Sequence, residues 1–527
     1  MKRSSWHLKP AIVASAAVLA LVLAACSGGT PSVSNSGENA GPPKRGGTLL
    51  VGEDTQPASG LDPMMAQALD SKRMVSQFYE GLLSMNSDFT EVQPGLATEW
   101  KQTSETIYEF TLRNGAKFHD GELVKPSDVV FSLNRVSDLA QNSPYKRLYS
   151  LKSVTETGPE TVQIELAKPQ ASLLSLLAQP WSGGIVSEAW VTSHTADQMK
   201  TMENGTGPFV LSEFQEGAVI KTVRFEDYWD EQKPYLDGVD YRLIPAEATR
   251  VQALSSGSID MMEVRSPVNA ESLRKKGVTV GPEYNIGAYW LGMDTLSGPL
   301  SDPKVRQAVN LGIDRDQLIQ VAAQGVGTLS YAIAPADPFG TDPGQDAPFY
   351  KYDPEAAKKL LADAGKTSVS LKMVVRSDNP KSVSTAELIK QQLSGIGVDL
   401  EIRTVPFSQI VSSIGNGNWD ADMLQLNSAL NADPSQYLDL WFAKGAAGTK
   451  VNDPVLWQMM EDAAQVTTGN EDRKKMYDDI SVYIAENSYM LVPYAAPIFV
   501  DSWSSKVKGF DADLSGTRLF LKDAWIN

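Results

Sequence analysis

The sequence predicts an α/β protein built from two lobes. From about residue 48 to the end, strand-like and helix-like segments alternate, with no low-complexity interruption. A helix followed by a strand is the repeating unit of an α/β lobe. At 527 residues, the chain is also longer than a single hydrophobic core usually organises, which favours two lobes.

The N-terminal residues predict export and a lipid anchor. Basic residues precede an apolar run from Ala11 to Ala25, which ends in small residues before Cys26, the single cysteine of the chain. This pattern is typical of a signal peptide over residues 1–25, and the run is shorter than the roughly 20 residues that span a bilayer. The stretch from Leu23 to Cys26 resembles the bacterial lipobox. We therefore expect acylation of Cys26, which anchors the chain to the outer face of the cytoplasmic membrane.

Composition narrows the classes of partner. Residues 26–47 are rich in Gly, Ser, Pro and Asn and predict a flexible tether. The formal net charge is −17, which argues against nucleic acid as a partner. Of the 3 histidines, His7 lies in the leader, so a metal site built from several histidines is nearly excluded. We expect no cofactor, no metal and no disulfide.

Two segments illustrate the local patterns. Residues 107–113 alternate apolar and polar side chains, which predicts a half-buried strand, and Asn114-Gly115 after it predicts a hairpin turn. In residues 353–365, Asp353 can cap a helix that has Pro354 at its first position, and Gly365 can end it.

A second helix is predicted from its capping signal. Ser384 and Glu387 have capping-box spacing, which places the start of a helix at Ser384. Two glycines, Gly395 and Gly397, are expected to end the helix. Residues 398–405 follow, and their apolar positions alternate as in a strand. This segment is thus predicted to be one helix–strand unit.

An ordered set of motifs resembles a known family. The motifs include ATEW, YEFTLRNGAKFHDGE and SDVVFSLNR within residues 96–135, GTGPFVL at 205–211, and PLSDPKVRQAVNLGIDRDQLI at 299–319. They are similar to the peptide-type solute-binding proteins of bacterial ABC importers, a family that also includes receptors for nickel, opines and some sugars. The resemblance implies a two-lobed periplasmic-binding-protein-like fold of the large peptide-binding type, with central mixed sheets and a hinge.

The resemblance also implies domain limits and partners. Residues 48–285 plus 488–527 are expected to form lobe I, with an inserted subdomain at about 82–200, and residues 286–487 to form lobe II. A monomer that delivers a peptide or similar solute to an ABC permease and ATPase complex is the function that the resemblance implies. Closure of the lobes would enclose the solute.

Candidate ligand-binding residues follow from the same resemblance. Arg376 has the family's spacing from a strand end to Gly397 and is the expected anchor for a carboxylate. Asp433 matches a second acid of the family pattern. The chain departs from the family at the amine anchor, where peptide receptors carry a tryptophan and an acid and this sequence has Asn427 and Leu430. This departure leaves room for a blocked peptide, an acidic metabolite or an uncharged solute.

Further contacts are expected from segments that pair with the main chain of a bound peptide. The residues are Leu69 in lobe I, and Ala429, Leu430 and Asn431 in lobe II. Trp290, in a strand that crosses between the lobes, is expected to line the cleft with aromatic surface.

Other function classes stay open at this point. No nucleophile elbow and no zinc-protease motif is found in the sequence, so we expect that the protein is not an enzyme, although a paired-carboxylate enzyme is not excluded. Two alternatives keep the same fold: a receptor for a non-peptide solute such as an acidic metabolite, opine or sugar, and a lipoprotein that senses a signal without transport.

Overall fold

A computed structural model describes residues 41–527, apart from 88, 139–142, 282–285, 330–348, 378, 416–418, 429–432, 447, 468–469, 498 and 514. All these residues belong to one compact unit, Ala40–Asn527. Cys26 and the predicted leader and tether up to residue 40 lie outside the described residues. Within the described ranges, none of the helices is both long and apolar enough to cross a bilayer.

The strands are given first, in chain order. They are β1 (Thr48–Glu53), β2 (Leu83–Met85), β3 (Val92–Pro94), β4 (Ala97–Ser104), β5 (Ile107–Leu112), β6 (Leu151–Gly158), β7 (Thr161–Leu166), β8 (Phe209–Gln215), β9 (Val219–Arg224), β10 (Gly238–Leu243), β11 (Met261–Val264), β12 (Thr279–Val280), β13 (Ile286–Met293), β14 (Val369–Arg376), β15 (Val398–Val405), β16 (Met423–Ser428), β17 (Met490–Pro497), β18 (Val500–Trp503), β19 (Val507–Lys508) and β20 (Trp525–Ile526).

The α-helices follow in the same order. They are α1 (Leu69–Phe78), α2 (Pro126–Ser137), α3 (Leu173–Leu177), α4 (Pro180–Gly183), α5 (Glu188–Ser193), α6 (Glu247–Ser256), α7 (Pro267–Lys275), α8 (Pro303–Leu311), α9 (Arg315–Val321), α10 (Pro354–Asp363), α11 (Pro380–Ser394), α12 (Phe407–Gly415), α13 (Pro434–Phe442), α14 (Pro454–Gln465) and α15 (Asn470–Asn487). Short 3₁₀ turns occupy Pro63–Met65, Gln198–Lys200, Pro299–Ser301 and Leu519–Asp523.

The first lobe is organised by a mixed seven-stranded sheet in the order β12-β18-β11-β1-β10-β9-β8. Strand β1 runs parallel to both β10 and β11, whereas β18, from the C-terminal part of the chain, pairs antiparallel with β11. A separate antiparallel sheet, β4-β5-β7-β6, lies within residues 97–166. One buried apolar cluster joins residues of the two sheets, so both belong to the same lobe.

The second lobe is organised by a mixed five-stranded sheet in the order β15-β14-β16-β13-β17. Apolar clusters cover its two faces, one beneath α8, α10 and α11 and the other beneath α13, α14 and α15. Strand β17 pairs with β13 along residues 490–497, so this sheet extends past the lobe boundary predicted at residue 487.

Some local predictions are confirmed and others are wrong. Helix α10 begins after Asp353, whose side chain accepts from the Ala356 amide, and β15 matches the predicted strand. The strand at 107–112 is present, but its partners are β4 and β7, so no hairpin of two strands turns at Asn114-Gly115.

The start of helix α11 also corrects a prediction. The helix begins at Pro380 with Asn379 as its N-cap, which accepts a hydrogen bond from the Ser382 amide. Ser384 instead lies inside the first turns, where its hydroxyl donates to the Pro380 carbonyl. The Asn-Pro pair provides an earlier cap and a residue suited to the first helical position, and it decides where the helix starts.

Candidate functional site

The site develops where parallel strands of the second lobe end. Strand β14 runs parallel to β15 and β16 and ends at Arg376, and α11 starts a few residues later. In open α/β sheets, ligands bind outside the carboxyl ends of the strands. The sheet topology therefore places the predicted carboxylate anchor at the edge where a ligand is expected.

Arg376 is held by an aromatic neighbour. Its guanidinium carbon lies 4.4 Å from the centroid of the Phe407 ring, a cation–π contact that fixes the direction of the side chain. The charge of Arg376 also acts on Tyr289 of β13, whose hydroxyl hydrogen-bonds Asn379. Burial raises the pKa of Tyr289 to about 12, against the opposing effects of Asn379, Arg376 and Arg265, so the phenol is neutral at pH 7.

Two further cations lie around Tyr289. The Lys381 ammonium, from the first turn of α11, is 5.9 Å from the Tyr289 ring centroid. Burial lowers the pKa of Lys381, and Glu247 of the first lobe opposes that shift. Arg265, also from the first lobe, acts electrostatically on Tyr289. Positive side chains from both lobes therefore act on one buried tyrosine.

The first-lobe cation is fixed by a buried ion network. Arg265 pairs with Glu263 and, at 3.0 Å, with Asp54. Although burial raises the pKa of Glu263, its neighbours Arg265, Arg73 and Arg518 lower it to about 2. The side chain of Arg265 is nevertheless 40% exposed, so part of it remains open to solvent.

Asp433 points into the second lobe. It caps α13, and its carboxylate accepts two hydrogen bonds from the Arg473 guanidinium, at 2.6 and 2.8 Å, and two from Ser435. The residue is 4% exposed. This network satisfies both oxygens inside the protein, so the structure supports a role for Asp433 in holding α13 against α15.

Trp290 lies in the core and does not line the cleft. It is 0% exposed and packs edge-on against Trp441, with ring centroids 4.6 Å apart. Successive residues of a strand point to opposite faces, so Tyr289 faces the α11 side while Trp290 faces the α13 side. Tyr289 is itself 1% exposed and lies beneath the cations that flank it.

The remaining predicted residues divide into two groups. Leu69 is half-buried at the first position of α1. Ala429, Leu430 and Asn431 lie outside the described residues, as does Cys26. Sequence reasoning missed Arg265, Lys381 and Asn379. Lys381 and Asn379 could have been suspected because they lie close to Arg376 in the sequence. Nothing in the sequence indicates that Arg265 lies near the site.

The two lobes touch at a surface formed by residues 147–179 and 436–464, which we call the interlobe contact. The Ala171 amide donates to the Ala464 carbonyl at 3.0 Å, and Lys168 pairs with Glu461 at 2.7 Å. The side-chain amide of Gln179 donates to the side-chain oxygen of Gln436 at 3.3 Å. The lobes thus approach closely on the side of the first lobe that carries α3 and α4.

Comparison with known proteins identifies the family. Residues 91–449 match the model of the bacterial extracellular solute-binding proteins, family 5 Middle. The chain belongs to this family. It is 28% identical over 518 residues to "Probable di/tripeptide-binding protein 5" of Pseudomonas aeruginosa. The alignment covers 92% of this chain and 96% of that protein.

Two other relatives extend the comparison. The dipeptide-binding protein of Escherichia coli is 27% identical over 478 residues, covering 84% of this chain and 88% of that protein. The solved structure of AgaA from A. tumefaciens R10, in complex with agropinic acid, superposes with a TM-score of 0.81 at 26% identity and covers 91% of this chain and 99% of AgaA. The predicted periplasmic-binding-protein-like fold is confirmed, and these relatives are binding proteins, not enzymes.

Proposed function

We propose that this protein binds a peptide or a related small carboxylate solute between its lobes and delivers it to an ABC importer. The observation that carries the proposal is the placement of Arg376 at the carboxyl end of β14, where Arg376, Lys381 and Arg265 of the other lobe all lie near enough to act on Tyr289. Two relatives are di/tripeptide- or dipeptide-binding proteins and AgaA is in complex with agropinic acid, which supports the same class of solute.

The cations suit a carboxylate that loses its water. A carboxylate enclosed by protein needs an opposite charge or hydrogen-bond donors, because an unpaired buried charge costs several kcal/mol. A guanidinium provides both and presents its donors in a planar fork that matches a carboxylate. The contact of Arg376 with Phe407 pre-orients that fork, which reduces the entropy lost when the solute binds.

The sequence at the amine-anchor position favours solutes without a free amine at that end. Asn427 and Leu430 stand where the family's peptide receptors carry a tryptophan and an acid, so an ammonium group would find no counter-charge from these two residues. A blocked peptide or an acidic solute avoids that cost. The agropinic acid bound by AgaA is such an acid, and it makes a non-peptide acid the second candidate class.

The finer cellular assignment rests on the N-terminal sequence. Cys26 is the acylation site of a lipoprotein that lies on the outer face of the cytoplasmic membrane, and an ABC permease with its ATPase is the partner of the monomer. Replacement of Cys26 by Ser should abolish incorporation of radioactive palmitate and release the protein into the medium. Equal labelling of the Cys26→Ser variant and the wild type would contradict the anchor.

The binding proposal is tested by mass spectrometry of small molecules released from the purified protein. We expect peptides or other carboxylate solutes from the wild type and none from Arg376→Ala, because loss of a desolvated charge partner weakens binding by about 2–5 kcal/mol. Arg403→Ala is the matched control, since Arg403 lies on the adjacent strand β15 with a side chain that is 49% exposed. Equal retention by wild type and Arg376→Ala would exclude Arg376 as the anchor.

A further inference from the structure

Lys72 is a cation that the site described above does not use. It lies in α1, one turn after Leu69, and its ammonium is 5.0 Å from the centroid of the Trp181 ring. The Lys72 side chain is half-buried, whereas Trp181 is 5% exposed. The lysine ammonium therefore lies over the face of a buried indole.

The position of Trp181 places Lys72 next to the second lobe. Trp181 belongs to α4, which follows Gln179 directly. The Gln179 side chain donates to Gln436 of the second lobe at 3.3 Å, and both glutamines are almost fully buried. Lys72 thus lies between Leu69, which is expected to contact the solute, and the interlobe contact.

The charge of Lys72 is not neutralised within the described part of the chain. No carboxylate there pairs with its ammonium, and burial lowers the pKa of Lys72 to about 8 with no opposing effect from a charged neighbour. Its neighbours in α1 are engaged elsewhere: Asp70 accepts from the Ser71 amide, and Arg73 pairs with Glu263 at 2.7 Å. Among the described residues, Lys72 is therefore a partly buried cation without a carboxylate partner, on the side of the first lobe that approaches the second.

A group of this kind costs stability in the unliganded protein, because desolvation disfavours the charged form. Such groups gather at functional sites, where a ligand provides the missing partner. We propose that Lys72 is a specificity-determining residue that binds a second carboxylate of the solute, while Arg376 binds the first. The inference rests on the proposed function and names its solute class, a peptide with an acidic group at its far end.

The residues at the amine-anchor position agree with this assignment. A zwitterionic peptide brings an ammonium group that needs an acid, yet Leu430 stands where the family's peptide receptors have one. Lys72 instead adds a positive charge from the opposite lobe. Selection against a wrong solute by an unfavourable charge is as effective as selection for the right one.

The test is a competition between forms of the same peptides. A casein digest is divided into three parts, of which one is untreated, one is acetylated and one is succinylated, and the mixture is incubated with the purified protein. Acetylation removes the positive charge of the amine, whereas succinylation replaces it with a carboxylate. Retained peptides are quantified by mass spectrometry, and each sequence is compared across its three forms.

For the wild type we expect succinylated forms to be enriched at least tenfold over acetylated forms. Lys72→Arg should keep the enrichment, and Lys72→Met should reduce it to about one. Lys101→Met, at an exposed position of β4, is the matched control and should behave as the wild type. The unliganded Lys72→Met variant should melt no lower than the wild type, because it lacks the desolvated charge.

The outcomes separate this inference from the function on which it rests. Equal enrichment in the wild type and Lys72→Met, or a wild type that prefers untreated or acetylated peptides, would overturn the role of Lys72 and leave peptide binding in place. A wild type that retains no peptide in any form would overturn the peptide reading of the proposed function, and with it this inference.

Discussion

The Asp433→Asn variant separates a structural role of this carboxylate from contact with the solute. The substituted amide keeps one side-chain oxygen, so the N-cap of α13 survives, but the charge that faces Arg473 is lost. The Arg473 side chain is 6% exposed, and among the described residues it also donates to the Ala463 carbonyl and the Tyr477 hydroxyl. Neither of these partners is an anion.

The expected cost follows from that burial. Removal of one member of a buried ion pair leaves an uncompensated charge and costs about 3–5 kcal/mol. Urea denaturation, monitored by tryptophan fluorescence, should therefore show a lower free energy of unfolding for Asp433→Asn. The double variant that also carries Arg473→Met should recover part of the lost stability. Binding of the released solute, titrated where both proteins are folded, should change less than twofold. Normal stability with tenfold weaker binding would refute the structural role and restore Asp433 as a ligand contact.

Three other variants give further predictions. Trp290→Ala should lose about 3–5 kcal/mol of stability in denaturant titrations with solute affinity unchanged, since the indole fills the core; weakened binding at normal stability would contradict this. Burial raises the pKa of Asp439 to about 7, so its favourable contribution is present below about pH 4 and is lost as the pH rises through 7. Asp439→Asn should therefore be more stable than the wild type by about 4 kcal/mol at pH 8 and equal at pH 4, measured by urea denaturation. Arg518→Met should lower the free energy of unfolding by about 3–5 kcal/mol, because it leaves the carboxylates of Glu53 and Asp501 without their cation in the first-lobe core. An unchanged urea midpoint would exclude a role for this network in stability.

The fold could be predicted where local chemistry decides the outcome. Asp353, Pro354 and Gly365 are local signals for the start and end of one helix, and α10 lies between them. The prediction of a hairpin at Asn114-Gly115 was wrong because long-range packing determines the partners of a strand. Strand β5 pairs with β4, which precedes it, and with β7, which follows it. Local turn residues alone carry no information about those partners.

Only one part of the candidate site, the segment around Arg376, could be predicted from the sequence. Arg376 follows from motif spacing, but the residues that surround it come from distant parts of the chain, and their proximity exists only after the sheets have formed. The face of a strand is similarly decided by its partners. Trp290 and Tyr289 are equally plausible cleft residues in sequence, and the two cores on either side of β13 assign them to opposite faces.

The net charge of the whole protein is opposite in sign to that of the residues proposed to bind the solute. At a formal net charge of −17, the surface repels an anionic solute at long range, so electrostatic steering cannot explain capture of an acid. At physiological ionic strength, however, charges separated by more than about 8 Å are largely screened in water. In the proposed mode of binding, Arg376, Lys381 and Lys72 therefore act after the solute has entered, where closure removes water and strengthens each contact. Selection of an acidic solute in such a cleft is exerted on the rate of release, because the cations hold the solute only once the lobes enclose it.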